Sequence, residues 1–301
     1  MIAFAFDPVI HLGDATVKLE TLGIAASVLV GLLLAGWLAA GTPSPAASPT
    51  PTPTERDVIL EDVGRLRIDD MIFIVLGILP GAVIGGRLGY VLIHLDFYRA
   101  HPAAIVDPGQ GSLELTLAIV GGALSGAYAC YLLGESVGRW FHVATIPTFA
   151  AVTLGKVAQA LGGSGQGQPI DLAWATSYQG DGPWGSLAPA VPAHPSQLYE
   201  AAATFVILVL MARLIRGDAF ARRDGRAFVM TLVLWLIGRA LVATTWRDPT
   251  LAGPLVAEQL ICLFVALASL LLLAGVVLRA RRRARAEAEP AWPDPETRPH
   301  F

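Results

Sequence analysis

Charge is scarce in this chain. Of its 301 residues only 15% are Asp, Glu, Lys or Arg, against 54% that are hydrophobic, and the mean hydropathy is +0.58. Soluble domains carry about 25% charged residues, so an ordinary soluble domain is excluded, the more so because the apolar residues are gathered into long blocks. Cysteine is sparse too. Cys130 and Cys262 both lie in apolar runs, where they read as small buried hydrophobes, and they offer neither a disulfide framework nor a metal site. A nucleotide-binding loop is missing as well: "GGSGQG" at 162–167 follows an apolar helix and leads into a Trp-containing loop, whereas a phosphate loop needs a strand before it and a helix after it. Its glycines read as a closely packed turn. No cofactor, metal or nucleic-acid partner is expected.

What the chain has is membrane-length apolar segments. Crossing a hydrocarbon core of about 30 Å takes roughly 20 apolar helical residues. Seven blocks meet that length, at 20–40, 71–93, 113–133, 143–161, 196–215, 227–246 and 255–278. The expected fold is an all-α integral membrane protein with seven transmembrane helices. The first block follows residues with two acids, one lysine and no small-residue cleavage site, so it reads as a retained span rather than a signal peptide. Of the 21 Lys and Arg, 15 fall in segments on the same side as the carboxyl terminus, and only Lys18, Arg99 and Arg247 fall opposite. Basic residues favour the cytoplasmic side. The amino terminus is therefore expected outside and the carboxyl terminus in the cytoplasm.

The division that follows has an outer segment and first helix at 1–41, a Pro-rich cytoplasmic linker at 42–70, a six-helix core at 71–278, and a basic, disordered tail at 279–301. The linker's "TPSPAASPTPTPT" cannot pack a core. The outer loop of the core, 162–195, holds seven glycines, Trp174, Tyr178 and Trp184 and no Lys or Arg. Its aromatic rings favour the bilayer interface, so it is expected to lie on the outer leaflet as an arm.

Ionisable residues inside spans cost several kcal/mol unless they face protein or water. Arg87, Lys156, Glu200 and Arg239 are such residues, with Glu114 near the outer end of the third span; any one could be a structural ion pair, but cations beside acids in one bundle mark a candidate site. At the mouth of the fifth span stands "AHPSQLYEA". Pro195 suits a first helical turn. His194, Gln197 and Glu200 recur every three residues and so share a face, and exposed amides at a helix start favour an anion.

In order and spacing, "GGRLGYVL", "VGGALSG", "GKVAQALGGSGQGQPIDLAWA", "HPSQLYEA" and "WRDP" resemble the bacterial prolipoprotein diacylglyceryl transferase family across about residues 71–265. That family too has seven spans and an outside amino terminus. The resemblance implies transfer of the diacylglyceryl group of phosphatidylglycerol to the lipobox cysteine of precursor proteins, in the bacterial plasma membrane. It implies catalytic roles for His194, Glu200 and Tyr199, and substrate-binding roles for Arg87, Lys156, Gln159, Gln197, Arg247, Gly121 and Gly122. A monomer is favoured.

The departures from the family bear on the chemistry. Where the family has His-Gly-Gly, this chain has Val120-Gly121-Gly122. The family's Arg-Ile-Gly-Asn-Phe-Ile-Asn-Gly-Glu run falls on Lys156 to Ser164, so the arginine is Lys156, the asparagines are Gln159 and Gly162, and the glutamate is Ser164; the chain has no asparagine at all. A further glutamate falls at Ala243 or Thr244. Lys156 keeps a charge and loses a two-pronged grip on phosphate. Thiol activation then rests on His194 or Glu200. Two alternatives stand beside transfer: a paralogue that binds phospholipid or precursor without the chemistry, and a small transporter, which lacks the inverted repeat common in such folds.

Overall fold

The structure is a computed structural model and describes residues 1–41, 68–107, 109 and 111–288. Most of the expected linker, and the chain beyond Ala288, lie outside the described residues. Seven of the described helices are long and apolar enough to cross a membrane. They are α1 (Leu19–Ala40), α2 (Ile68–Ile93), α4 (Leu115–Leu132), α5 (Val137–Gly162), α6 (Ser196–Arg216), α7 (Arg226–Val242) and α8 (Ala257–Ala288), with a short α3 (Leu95–Ala100) after α2.

Two boundaries differ from the sequence expectation. Helix α5 begins at Val137 rather than 143, because "VGRWFH" is too polar to register as a span yet buries Trp140. Helix α8 runs to Ala288, so the first part of the expected disordered tail is helical. Its "RARRRARAEA" is made of strong helix formers, which need no lipid to hold the backbone helical.

The chain is mostly helical, not wholly so. Short strands cluster at one end of the bundle: β1 (Ile2–Phe4), β2 (Val9–Leu12), β3 (Ala15–Lys18), β4 (Thr176–Tyr178), β5 (Thr250–Ala252) and β6 (Leu255–Val256). Strand β1 pairs in parallel with β4, Ile2 opposite Thr176 and Phe4 opposite Tyr178. The 162–195 segment is therefore not a free arm. It is closed on itself through Gly167 N to His194 O (2.8 Å) and bonded to the rest of the chain through Gln168 N to Thr245 O (2.8 Å) and Gln179 N to Phe4 O (2.8 Å), with Trp174 and Leu187 left exposed.

Small residues let the helices close. Gly77, Gly81 and Gly85 of α2 lie against Ala129, Gly121, Ser125 and Leu117 of α4, and a Cβ on Gly81 or Gly85 would collide with α4 backbone. Lipid gives no hydrophobic reward for helix association, so such backbone-to-backbone packing carries the contact. Beside α4, whose Leu115, Leu117, Ile119 and Val120 pack against it, Phe149, Phe228, Trp235, Leu236 and Cys262 form a buried core.

Candidate active site

Topology gathers the chemistry at one depth. Helices α1, α4, α6 and α8 start, and α2, α5 and α7 finish, at the end of the bundle that carries the strands. Lys156 lies about 9 Å below the end of α5, at the helical rise of about 1.5 Å per residue, and Glu200, Arg239 and Glu258 are within a turn or so of the same end of their helices. Glu114 caps α4, its carboxylate accepting from Thr116 N and from Leu117 N (2.7 Å).

These five side chains form one cluster. Lys156 Nζ meets Glu200 Oε2 at 2.9 Å. Arg239 reaches Glu200 Oε1 with Nη1 (2.5 Å), Glu258 Oε1 with Nε (2.8 Å) and Glu114 Oε1 with Nη2 (3.6 Å). Thr116 Oγ1 donates to Glu258 Oε1 at 2.8 Å. The rings of Trp235 and Trp246 lie 5.5 and 4.8 Å from the Arg239 guanidinium carbon. Glu200 is 2% exposed and Arg239 5%, so the pairs are nearly dry and each partner depends on the others. With all five groups ionised the cluster holds two positive and three negative charges.

The expected site residues fall into separate groups. Lys156 and Glu200 are in the cluster. One turn nearer the helix ends, on the packed neighbours α5 and α6, Gln159 and Gln197 flank Gly165, and Gln197 Nε2 donates to the Tyr178 hydroxyl at 3.0 Å. Burial pushes that phenol up to about 12, so it stays protonated at any physiological pH. His194 lies before the cap residue Pro195 rather than on the helix face. Its Nδ1 is 3.3 Å from the Tyr199 hydroxyl, which accepts from Trp174 Nε1 at 2.8 Å. Arg247 Nε donates to Gly167 O, and Gly167 is itself bonded to the His194 carbonyl.

Arg87 is elsewhere, donating to the carbonyls of Ala104, Ile105 and Asp107 and so fastening the turn after α3. Gly121 and Gly122 lie in the α2–α4 seam, against Gly81 and Ile78. At the positions that depart from the family pattern, Val120 packs on the apolar core and Ala243 is buried. Ser164 donates to Glu20 Oε2 of α1 at 2.7 Å, and Gly162 leaves the room for that carboxylate. Sequence reasoning passed over Glu258. Its one signal was an acid at the lip of the last apolar block, a turn before Cys262.

Seven apolar helices around a dry cluster of two cations and three carboxylates define a multi-pass membrane protein with a polar centre buried at one end. The chain belongs to the prolipoprotein diacylglyceryl transferase family, whose sequence profile matches residues 8–275 and so takes in the first span as well. Among its relatives, the phosphatidylglycerol–prolipoprotein diacylglyceryl transferase of Cupriavidus necator is 34% identical, over 69% of this chain and 70% of its own length. The protein of the same description from Nitrobacter hamburgensis is 29% identical over 81% and 77%, and that from Gluconacetobacter diazotrophicus is 26% identical over 95% and 96%.

Proposed function

We propose that this chain transfers the diacylglyceryl group of phosphatidylglycerol to the lipobox cysteine of precursor proteins, in the bacterial plasma membrane with its amino terminus outside. The observation that carries this is the family match along residues 8–275, and the buried cations beside "HPSQLYE" support it. In the reaction the thiol proton goes to His194 or Glu200, the sulfur forms a bond to the glycerol carbon, and the carbon–oxygen bond to phosphate breaks. Glycerol phosphate leaves with that electron pair. A thiolate is the effective nucleophile, and Lys156 and Arg239 are the cations suited to the departing phosphate. Tyr199 orients His194; Gln159, Gln197, Arg247 and Arg87 serve the headgroup and its surroundings; Gly121 and Gly122 set the helix approach.

The test is purified protein in phosphatidylglycerol vesicles with a lipobox peptide. Thioether product is expected from the cysteine peptide and none from its serine analogue. The missing span histidine makes the rate low, since a positioned acid or base contributes about 10²- to 10⁴-fold, and Val120→His is expected to raise it. A specific observation favours a second reading, in which lipid binds without transfer: Lys156 and Arg239 are both already engaged by carboxylates. Absence of product from both wild type and Val120→His, with lipid still bound, would select it.

A further inference from the structure

Two carboxyls of the cluster, Glu114 and Glu258, take no part in the proposed transfer, yet they are 5% and 3% exposed. Fully ionised, the cluster holds one more negative charge than positive. An unbalanced buried charge is costly, and a carboxyl escapes that cost by keeping its proton. Glu200 is held by Lys156 at 2.9 Å and by Arg239 at 2.5 Å, and Glu258 by Arg239 and by the Thr116 hydroxyl, each at 2.8 Å. Glu114 is held least. Among the described residues its one close cation is Arg239 Nη2, at 3.6 Å and so beyond hydrogen-bond reach. Its carboxyl also stands close enough to that of Glu258 to share a hydrogen bond with it. Ionised carboxylates only accept, so two carboxyls meet in this way with a proton between them. The amides of Thr116 and Leu117 donate to Glu114 as well, and a carboxylic acid can accept both while giving its own O–H. Around the pair, α2 brings Gly89 against Glu114, the Cys262 thiol is 3.8 Å from Glu258 Oε1, and Asp248, after α7, adds another carboxyl beside Glu258 and Arg239.

We propose that Glu114 keeps a proton shared with Glu258 and delivers it to the phosphate oxygen that departs from the glycerol carbon. The inference rests on the proposed transfer and supplies its acid. As the sulfur–carbon bond forms, the carbon–oxygen electron pair passes to the phosphate oxygen, the O–H bond of Glu114 breaks, and the proton goes to that oxygen. Glycerol phosphate leaves protonated, and Glu114 remains as a carboxylate. Arg239, suited to the same phosphate, reaches Glu200 with Nη1 and faces Glu114 with Nη2, and so lies between base and acid. With Glu200 as the acceptor of the thiol proton, one carboxyl of the cluster gains a proton while another loses one. The buried charge is then the same before and after the step. Once the products have gone, Glu200 gives its proton to water and Glu114 takes one up.

Infrared spectra of the full chain in detergent at neutral pH read the proton directly, because a protonated carboxyl absorbs apart from a carboxylate. The difference between wild type and Glu114→Gln is expected to contain one protonated-carboxyl band that shifts in heavy water. Glu258→Gln is expected to lose the same band, since the remaining charges of the cluster then balance with Glu114 ionised. A difference holding carboxylate bands alone overturns the proposal, whatever the transfer assay gives. In phosphatidylglycerol vesicles with the lipobox peptide, Glu114→Gln is expected to lower the rate at saturating substrates by about 10²-fold, at the lower end of what a positioned acid contributes. It is also expected to lose the fall in rate that wild type shows on the alkaline side, where the acid has given up its proton; a merely structural glutamate would leave that limb in place. An unchanged rate and pH profile in Glu114→Gln overturns the acid role. Wild type that makes no product defeats the transfer reading and the acid role with it, and the infrared band then decides by itself whether the cluster holds its proton.

Discussion

Arg239 touches three carboxylates from three helices, so its removal leaves them with Lys156 as the remaining cation of the cluster. Breaking a buried ion cluster by deleting one partner costs about 3–5 kcal/mol. Arg239→Leu is therefore expected to lower the unfolding temperature sharply in detergent, and Arg239→Lys to recover only part, because an ammonium cannot reach Glu258 and Glu200 with separate prongs. Glu114→Gln is expected to be much milder, as the acids outnumber the cations and Glu114 is the most distant, at 3.6 Å. Equal melting of all four forms would mean that the cluster does not hold the helices. Lys156, Glu200 and Arg239 were legible in the sequence because each interrupts an apolar run. Glu258 was not, since an acid at the edge of a run reads as an ordinary helix start, and nothing local shows that it meets Thr116 from 142 residues away.

Helices α2 and α4 depend on glycine where their backbones meet. Gly81→Leu is expected to cost at least the ~1–3 kcal/mol of an overpacked core, visible as lost folded yield and lower melting temperature, whereas Gly275→Leu on α8, with open space at its Cβ, is expected to be neutral. At the opposite end of the same pair, the turn between α4 and α5 carries Glu135. Its carboxyl is held above the ordinary range, first by burial and then by the hydrogen bond and charge of Asp70. A carboxyl raised in the fold contributes stability that is present below its unfolded value and is lost as pH rises through the folded one. Melting temperature is thus expected to fall over that acid-side window in wild type and to fall less in Glu135→Gln. The long elements were readable because length and apolarity define a span. The strands were not: β1 and β4 are three residues each and lie at opposite ends of a long sequence separation, so no periodicity announces their pairing.

Orientation belongs to the whole molecule. Reporters placed after Arg285 and within the turn at Gly180, which has open space around it, are expected to read as cytoplasmic and outside respectively, following the distribution of basic residues. Both on one side would overturn the arrangement. The charge cluster also has an order in time. Along the chain its members run Glu114, Lys156, Glu200, Arg239, Glu258, alternating in sign. Glu200 leaves the ribosome 39 residues ahead of Arg239, a gap of roughly 2 to 8 seconds at ordinary rates of synthesis, yet Lys156 is already there to meet it. After Glu114 each newcomer follows a member of opposite sign, and the running total swings between minus one and zero. A growing chain can therefore take these helices into the membrane one after another while the net charge of the cluster members made so far never exceeds one unit.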